Sequence, residues 1–198
     1  MGRHISRDAQ LLKFFAQQYS GIPRKRLVKM AYLADLISRQ YLGHPITTFE
    51  YRVNHFGPYS PAIEGAVKEL VSKDLALIRE SQPDEEGQEA WKLLFDVGKR
   101  VVFDFSLAEN EVLAYVTENY LNMSMDELLE DVVYPTAPFQ AVRNEFRARI
   151  PMELVDRQER DFVGFDLEAV IKAEQQAEVG GYATAREFFD GLRARYTA

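Results

Sequence analysis

Six residues, Phe56-Gly57-Pro58-Tyr59-Ser60-Pro61, restrict this chain more than any other stretch. Two prolines fix φ near −65° and remove two backbone donors, and a glycine between an aromatic and a proline marks a sharp change of direction. Upstream, Phe49, Tyr51 and Val53 alternate with Glu50, Arg52 and Asn54, the period of a half-buried strand. Downstream, Ala62, Ile63, Ala66, Val67, Leu70 and Val71 form a helical stripe. Gly57 and Pro58 are therefore expected to close a strand, Ser60 to cap a helix, and Pro61 to sit in its first turn.

Helices are expected on the N-terminal side of this corner. Leu11, Leu12, Phe15 and Tyr19 recur at helical spacing before the break at Gly21-Ile22-Pro23. A longer helix over 24–42 places Leu27, Met30, Ala31, Ala34, Ile37 and Tyr41 on one face and ends at Gly43-His44-Pro45. After the corner, strands are expected at 75–80, 91–95 and 100–105. The polar loop "SQPDEEGQE" joins the first two as a hairpin, and the turn "DVGK" joins the last two. Ser106 with Glu109, Ser124 with Glu127 and Thr184 with Glu187 have the spacing of capping boxes, opening helices at 107–121, 125–133 and 185–196. A further helix is expected over 166–178, and "YPTAPF" at 134–139 is a proline-braced turn. The fold class is α+β and mostly helical: a winged-helix-like element order with a small antiparallel sheet and additional C-terminal helices. A soft boundary divides a domain over 1–140 from a C-terminal helical extension over 141–198, expected to pack on that domain.

Composition narrows the function. With 46% hydrophobic and 12% aromatic residues in 198, a core is readily built. No apolar run approaches the roughly 18 residues of a membrane span, and the first ten residues lack the apolar centre of a signal peptide, so a cytoplasmic protein is expected. The absence of cysteine removes disulfides, thiolate metal sites and cysteine nucleophiles. The three histidines have no i,i+4 pairing, so no metal site and no cofactor is expected. No G-x-S-x-G elbow or Gly-rich phosphate loop is present, and no catalytic residue is assigned. Asp35 could serve as a general base, but a helix-face pair with Arg39 explains both residues more simply.

The net charge of −7 is unevenly spread. Residues 1–60 carry nine Lys and Arg against three Asp and Glu; the remainder carries fifteen against twenty-eight. An acidic body disfavours phosphate backbones and suits a basic protein partner. Arg24, Lys25 and Arg26 open the second helix and are the nucleic-acid-binding candidates of a winged-helix transcriptional regulator. Against that reading, the exposed residues expected on the third helix, Glu64, Lys68, Glu69 and Lys73, cancel. The wing would also present Asp84, Glu85, Glu86 and Glu89 to DNA phosphates.

Several ordered motifs resemble a known family. Lys29-Met30-Ala31-Tyr32-Leu33-Ala34-Asp35 is similar to a Lys-Leu-Leu-Tyr-Leu-Ala-Asp helix, and 43–47 to a Gly-x-Pro-Ile-Thr turn. Tyr51 lies in the strand that follows, and Gly57-Pro58-Tyr59 resembles its Gly-Pro corner. "SMDELLEDVVYPTAPF", 124–139, resembles a Ser-x-x-Glu-Leu helix with a Pro-aromatic turn. Together they resemble the Panacea domain of SocA-like antitoxins over about 7–140. Where that family shows Thr-His before Pro-Trp, this chain has Val133-Tyr134 and Pro138-Phe139, so a role resting on the histidine does not carry over.

The resemblance implies a non-enzymatic antitoxin that binds a cognate toxin protein, in some members delivering it to a protease. Some members, including phage ones, stand outside toxin–antitoxin pairs and would have another partner. The partner-binding candidates are Tyr32, Asp35, Tyr51, Phe56, Tyr59, Glu85 and Glu86. About two of the four aromatics are expected in the core, with Phe56 and Tyr59 outside. The final helix, with Phe188, Phe189, Leu192 and Tyr196 on one stripe, is expected to pack on the body; a toxin-grasping or self-associating arm is the alternative.

Overall fold

A computed structural model describes residues 4–54, 56–80, 92–144 and 151–154, together with Phe165 and Lys172. The architecture is a mostly helical α+β fold with six α-helices and two small antiparallel sheets among the described residues. No helix among them is long and apolar enough to cross a membrane.

Helix α1 spans Arg7–Gln18 and starts where Ser6 Oγ accepts from the Ala9 amide at 3.2 Å. It leads through Gly21 to a two-residue strand β1, Ile22–Pro23. Gly21 sits at φ +70°, and a Cβ there would lie 2.5 Å from the Phe95 ring, so a side chain is excluded twice over. Helix α2, Arg24–Leu42, is the centre of the molecule and stops at left-handed Gly43. One apolar stripe was the sequence expectation, but Val28, Tyr32, Leu33 and Leu36 are buried too, so α2 is enclosed on nearly every side. Each fully buried side chain of this size stabilises by about 1.5–3 kcal/mol relative to exposure.

The corner differs from expectation. Strand β2 is Arg52–Asn54, and Gly57–Tyr59 forms a second strand, β3, instead of merely ending the first. The pair is antiparallel in the register Arg52↔Tyr59, Val53↔Pro58, Asn54↔Gly57. Pro58 is tolerated because this two-stranded sheet has only edges. Helix α3, Ala62–Ser72, follows Pro61 directly with no side-chain cap. Ser60 does not cap it: its Oγ is buried, without a hydrogen-bond partner among the described residues.

Strands β4, Ala76–Glu80, and β5, Lys92–Asp96, pair antiparallel with Ile78 opposite Leu94. The third strand of this sheet is β1, in the order β1-β5-β4, and not 100–105 as the sequence led us to expect. That segment is not a strand; its Phe103 and Phe105 rings stack on each other and meet Phe14 of α1 edge-on. The "DVGK" turn is closed by Asp96 accepting from the Gly98 amide at 3.1 Å.

Helix α4, Leu107–Tyr120, and the short α5, Met125–Glu127, both open on complete capping boxes, from Ser106 and Ser124. The chain continues as a π-helical stretch, Leu128–Val133, before α6, Ala137–Val142. Beyond it, the Met152 amide donates to the Tyr51 carbonyl at 2.7 Å, and Arg52 bridges Pro151. Phe165 packs on the rings of Tyr41 and Tyr115. The Thr184–Glu187 box, the helix expected at 185–196 and nearly all of that at 166–178 lie outside the described residues. So do the 81–90 loop, Glu85 and Glu86.

Candidate functional site

The hairpin, the first turn of α2 and the first turn of α3 converge on one surface. Phe56, at the hairpin tip, is 50% exposed. The Lys25 ammonium stands 3.5 Å from its ring centroid, a cation–π contact that holds a large apolar face toward solvent. Next to it, the Tyr59 hydroxyl donates to Glu64 Oε1 at 2.9 Å and accepts from Arg24 Nη2 at 3.0 Å. Arg24 also pairs with Glu64, and its guanidinium lies 5.7 Å from the Tyr59 ring centroid. Glu64 sits in the first turn of α3, where the helix dipole favours a carboxylate. The bond from Tyr59, then Arg24, holds Glu64 below the usual carboxylate range; burial, then Glu64, pushes the Tyr59 phenol up.

Beneath this surface the backbone is pinned. Gly57 has φ +85°, and a Cβ there would come within 3.0 Å of Tyr134 Cε1 and 3.4 Å of Lys29 Nζ. Lys29, buried in the middle of α2, donates to the Pro58 carbonyl at 2.6 Å. Burial, aided by the nearby Lys25 charge, pulls its pKa down to about 7. The Tyr134 ring in turn stacks on Phe139 at 5.0 Å.

Deeper in the molecule lies a second polar group. Asp35 Oδ1 accepts from the Thr47 amide at 2.8 Å; its Oδ2 accepts from the Thr47 hydroxyl at 2.5 Å and the Tyr51 hydroxyl at 2.7 Å. The Tyr51 ring meets Tyr32 edge-on, and the Tyr32 hydroxyl shares a 2.7 Å hydrogen bond with Thr136. Burial raises the Asp35 carboxyl to about 6, against the lowering effect of the bonds from Thr47 and Tyr51. This cluster ties α2, the strand approach and the 134–139 turn together.

The sequence candidates therefore divide by depth. Phe56 is exposed and Tyr59 is half-buried at the corner. Tyr32, Asp35 and Tyr51 are 0%, 0% and 1% exposed, so in this conformation they support the surface and cannot touch a partner. Nor has Asp35 the exposure a general base needs to meet a substrate. The Asp35–Arg39 pair does not form: Arg39 turns to the carbonyls of Gly43 and Leu154, while Asp35 is satisfied by Thr47 and Tyr51. Of the cationic trio, Arg26 is withdrawn from any phosphate, donating to the Leu121 carbonyl at 2.8 Å and lying over Tyr19. On α3, Glu69 and Lys73 are not a reading face either. Glu69 accepts from the Ser6 amide and hydroxyl and pairs with Lys73, joining α3 to the start of α1.

Sequence reasoning passed over Lys29, Thr47, Tyr134 and Thr136. Lys29 and Asp35 lie six apart in a helix whose other residues are mainly apolar, a signal of two buried charges that each require a built partner. Among the described residues, no group of three or more His, Cys, Asp or Glu could hold a metal ion.

Comparison with curated proteins found no match, and comparison with solved structures found none. The family model described as antitoxin SocA-like, Panacea domain, matches residues 27–151. That span runs from the first turns of α2 through the corner and α6 to the Pro151 bridge. With more than half of its length matched, the chain belongs to the SocA-like antitoxin family through its Panacea domain.

Proposed function

We propose that this protein is a cytoplasmic, non-enzymatic antitoxin that neutralises a cognate protein toxin by direct contact through the Phe56 corner. The observation that carries the reading is a half-exposed phenylalanine clamped by Lys25 above a backbone held by Gly57, Lys29 and Tyr134. A preorganised aromatic loses little conformational freedom on binding, and such residues dominate interface energetics. Tyr59, with Arg24 and Glu64, supplies the polar flank that orients a partner. The acidic balance of residues 61–198 favours approach of a basic toxin.

The order α1-β1-α2-β2-β3-α3-β4-β5, with the β2–β3 hairpin as an insertion and sheet order β1-β5-β4, supports a winged-helix arrangement of the body. DNA binding is the weaker use of that arrangement, because Arg26 is buried and Arg24 is neutralised by Glu64. The packing of Met152 and Phe165 on the body supports reading 141–198 as an extension of the 1–140 domain. The test is growth of a host induced for the product of the adjacent open reading frame, with and without this protein. Rescue of toxicity with co-purification of the two chains is the expected result. Harmless expression of every neighbouring product would sink the reading, and a gel shift on the protein's own promoter would then be the informative experiment.

A further inference from the structure

Beside the corner, between α2, α3 and the β4–β5 pair, lies an apolar cleft with a volume of about 120 Å³. Its floor is Leu27, Ile63, Val67, Ile78 and Leu94, and Ile78 is 43% exposed although it belongs to a strand of the sheet. An apolar cavity of roughly 150 Å³ takes up benzene, so this space matches one branched aliphatic or phenyl side chain. Its rim is polar and unbalanced. Arg24 and Glu64 pair across it, while Lys68, one turn beyond Glu64 on α3, is an exposed second cation. Among the described residues that line the cleft, two cations against one carboxylate leave a single positive charge beside an apolar hole. Arg24 and Glu64 also hold Tyr59, so the cleft and the Phe56 corner form one continuous surface.

We infer that this cleft receives an anchor residue of the toxin, a bulky apolar side chain with a carboxylate next to it that meets Lys68. The inference rests on the antitoxin reading and specifies which chemistry of the partner is recognised. Sequence composition alone points to a basic toxin; the cationic rim of the cleft requires that the anchor itself carry a local negative charge, which is how register would be fixed at this face.

The first test uses 3-phenylpropionate and its neutral analogue 3-phenylpropanol as probes, titrated into the full-length methyl-labelled protein. Shifts confined to the methyls of Ile63, Val67, Ile78 and Leu94 are expected. The carboxylate should bind at least about threefold tighter, a preference lost in Lys68→Gln, the scale of one exposed ion pair. Equal binding of the two probes overturns the charge assignment. An unresponsive cleft overturns the proposal by showing it filled by the chain's own remaining residues, and shifts of the same methyls on dilution overturn it by assigning the cleft to a second copy. The second test measures toxin affinity for Ile78→Glu and Lys68→Glu, with thermal midpoints as folding controls. A loss of at least about tenfold for Ile78→Glu supports the anchor. Rescue of growth by Ile78→Glu equal to wild type overturns the cleft and leaves the antitoxin reading standing. Absence of any toxin removes that reading, and the phenylpropionate titration then still decides the cleft's chemistry.

Discussion

Tyr51 and Tyr59 each donate to a carboxylate, in opposite surroundings. Tyr51 donates to Asp35 at 2.7 Å inside the core; Tyr59 donates to Glu64 at 2.9 Å on the surface. Burial pushes the Asp35 carboxyl up to about 6, whereas Tyr59 and Arg24 hold Glu64 down. The same chemical pair thus does different work at the two depths. The buried carboxylate accepts three hydrogen bonds and dictates the path of the chain from α2 to Tyr51. The surface one shares its bonds with Arg24 in water, where ion pairs contribute little, and so can exchange partners. Stability should therefore be concentrated in the first pair and binding in the second.

The largest effect is expected from Asp35→Ala. It leaves the Thr47 amide, the Thr47 hydroxyl and the Tyr51 hydroxyl without their acceptor, and a loss of about 3–5 kcal/mol is expected in urea unfolding. Asp35→Asn should cost less, because an amide oxygen can still accept from the Thr47 amide while its NH2 donates to a hydroxyl. The two variants also differ from wild type in pH dependence. The folded carboxyl, near 6, lies above its ordinary value of 3.8, so the folded state takes up the proton first as pH falls. Its contribution is fully present below about 4 and is lost as pH rises through about 6. Asp35→Asn should flatten the stability profile in that window; an unchanged slope would place the titration elsewhere.

Gly57→Ala comes next. The left-handed conformation alone costs a residue with a Cβ about 1–2 kcal/mol, and the close approach of Tyr134 adds to it. Lys29→Met probes the layer between the two pairs. Because the Lys29 ammonium is depressed from 10.5 to about 7, its contribution is present above about 10.5 and is lost as pH falls through about 7. The methionine variant should lack the rise in stability that wild type shows from pH 7 upward. At the small end, Phe56→Ala and Tyr59→Phe should each change folding stability by no more than about 0.5 kcal/mol. Equal destabilisation by Asp35→Ala and Phe56→Ala would erase the division between support and surface.

Much of this division could be read in the sequence, but not the polar partners that hold its buried half. The capping boxes at Ser106 and Ser124 declared themselves because cap chemistry is local, fixed by residues three apart. Phe56 was expected outside as an interface aromatic at a proline-braced corner, and it is half exposed, although the hairpin that carries it was not foreseen. Tyr32 and Tyr51, the two aromatics left for the core, are nevertheless also among the partner-binding candidates; what the sequence does not show is what holds them there, Asp35 for Tyr51 and Thr136 for Tyr32, 16 and 104 residues away. The third strand of the sheet was misassigned for a similar reason. Residues 100–105 alternate well, yet β5 is paired by Ile22–Pro23, two residues far too few to signal a strand. Ser60 had the right identity and position for a cap but is buried, with Pro61 taking the cap position of α3.

The most direct measurement is the affinity of the purified toxin, once identified by co-expression, for wild-type protein and for Phe56→Ala, with the thermal midpoint of each recorded. A corner that binds predicts at least about tenfold weaker association at an unchanged midpoint. Undiminished affinity in a folded Phe56→Ala variant would contradict it and move the binding surface elsewhere on the molecule.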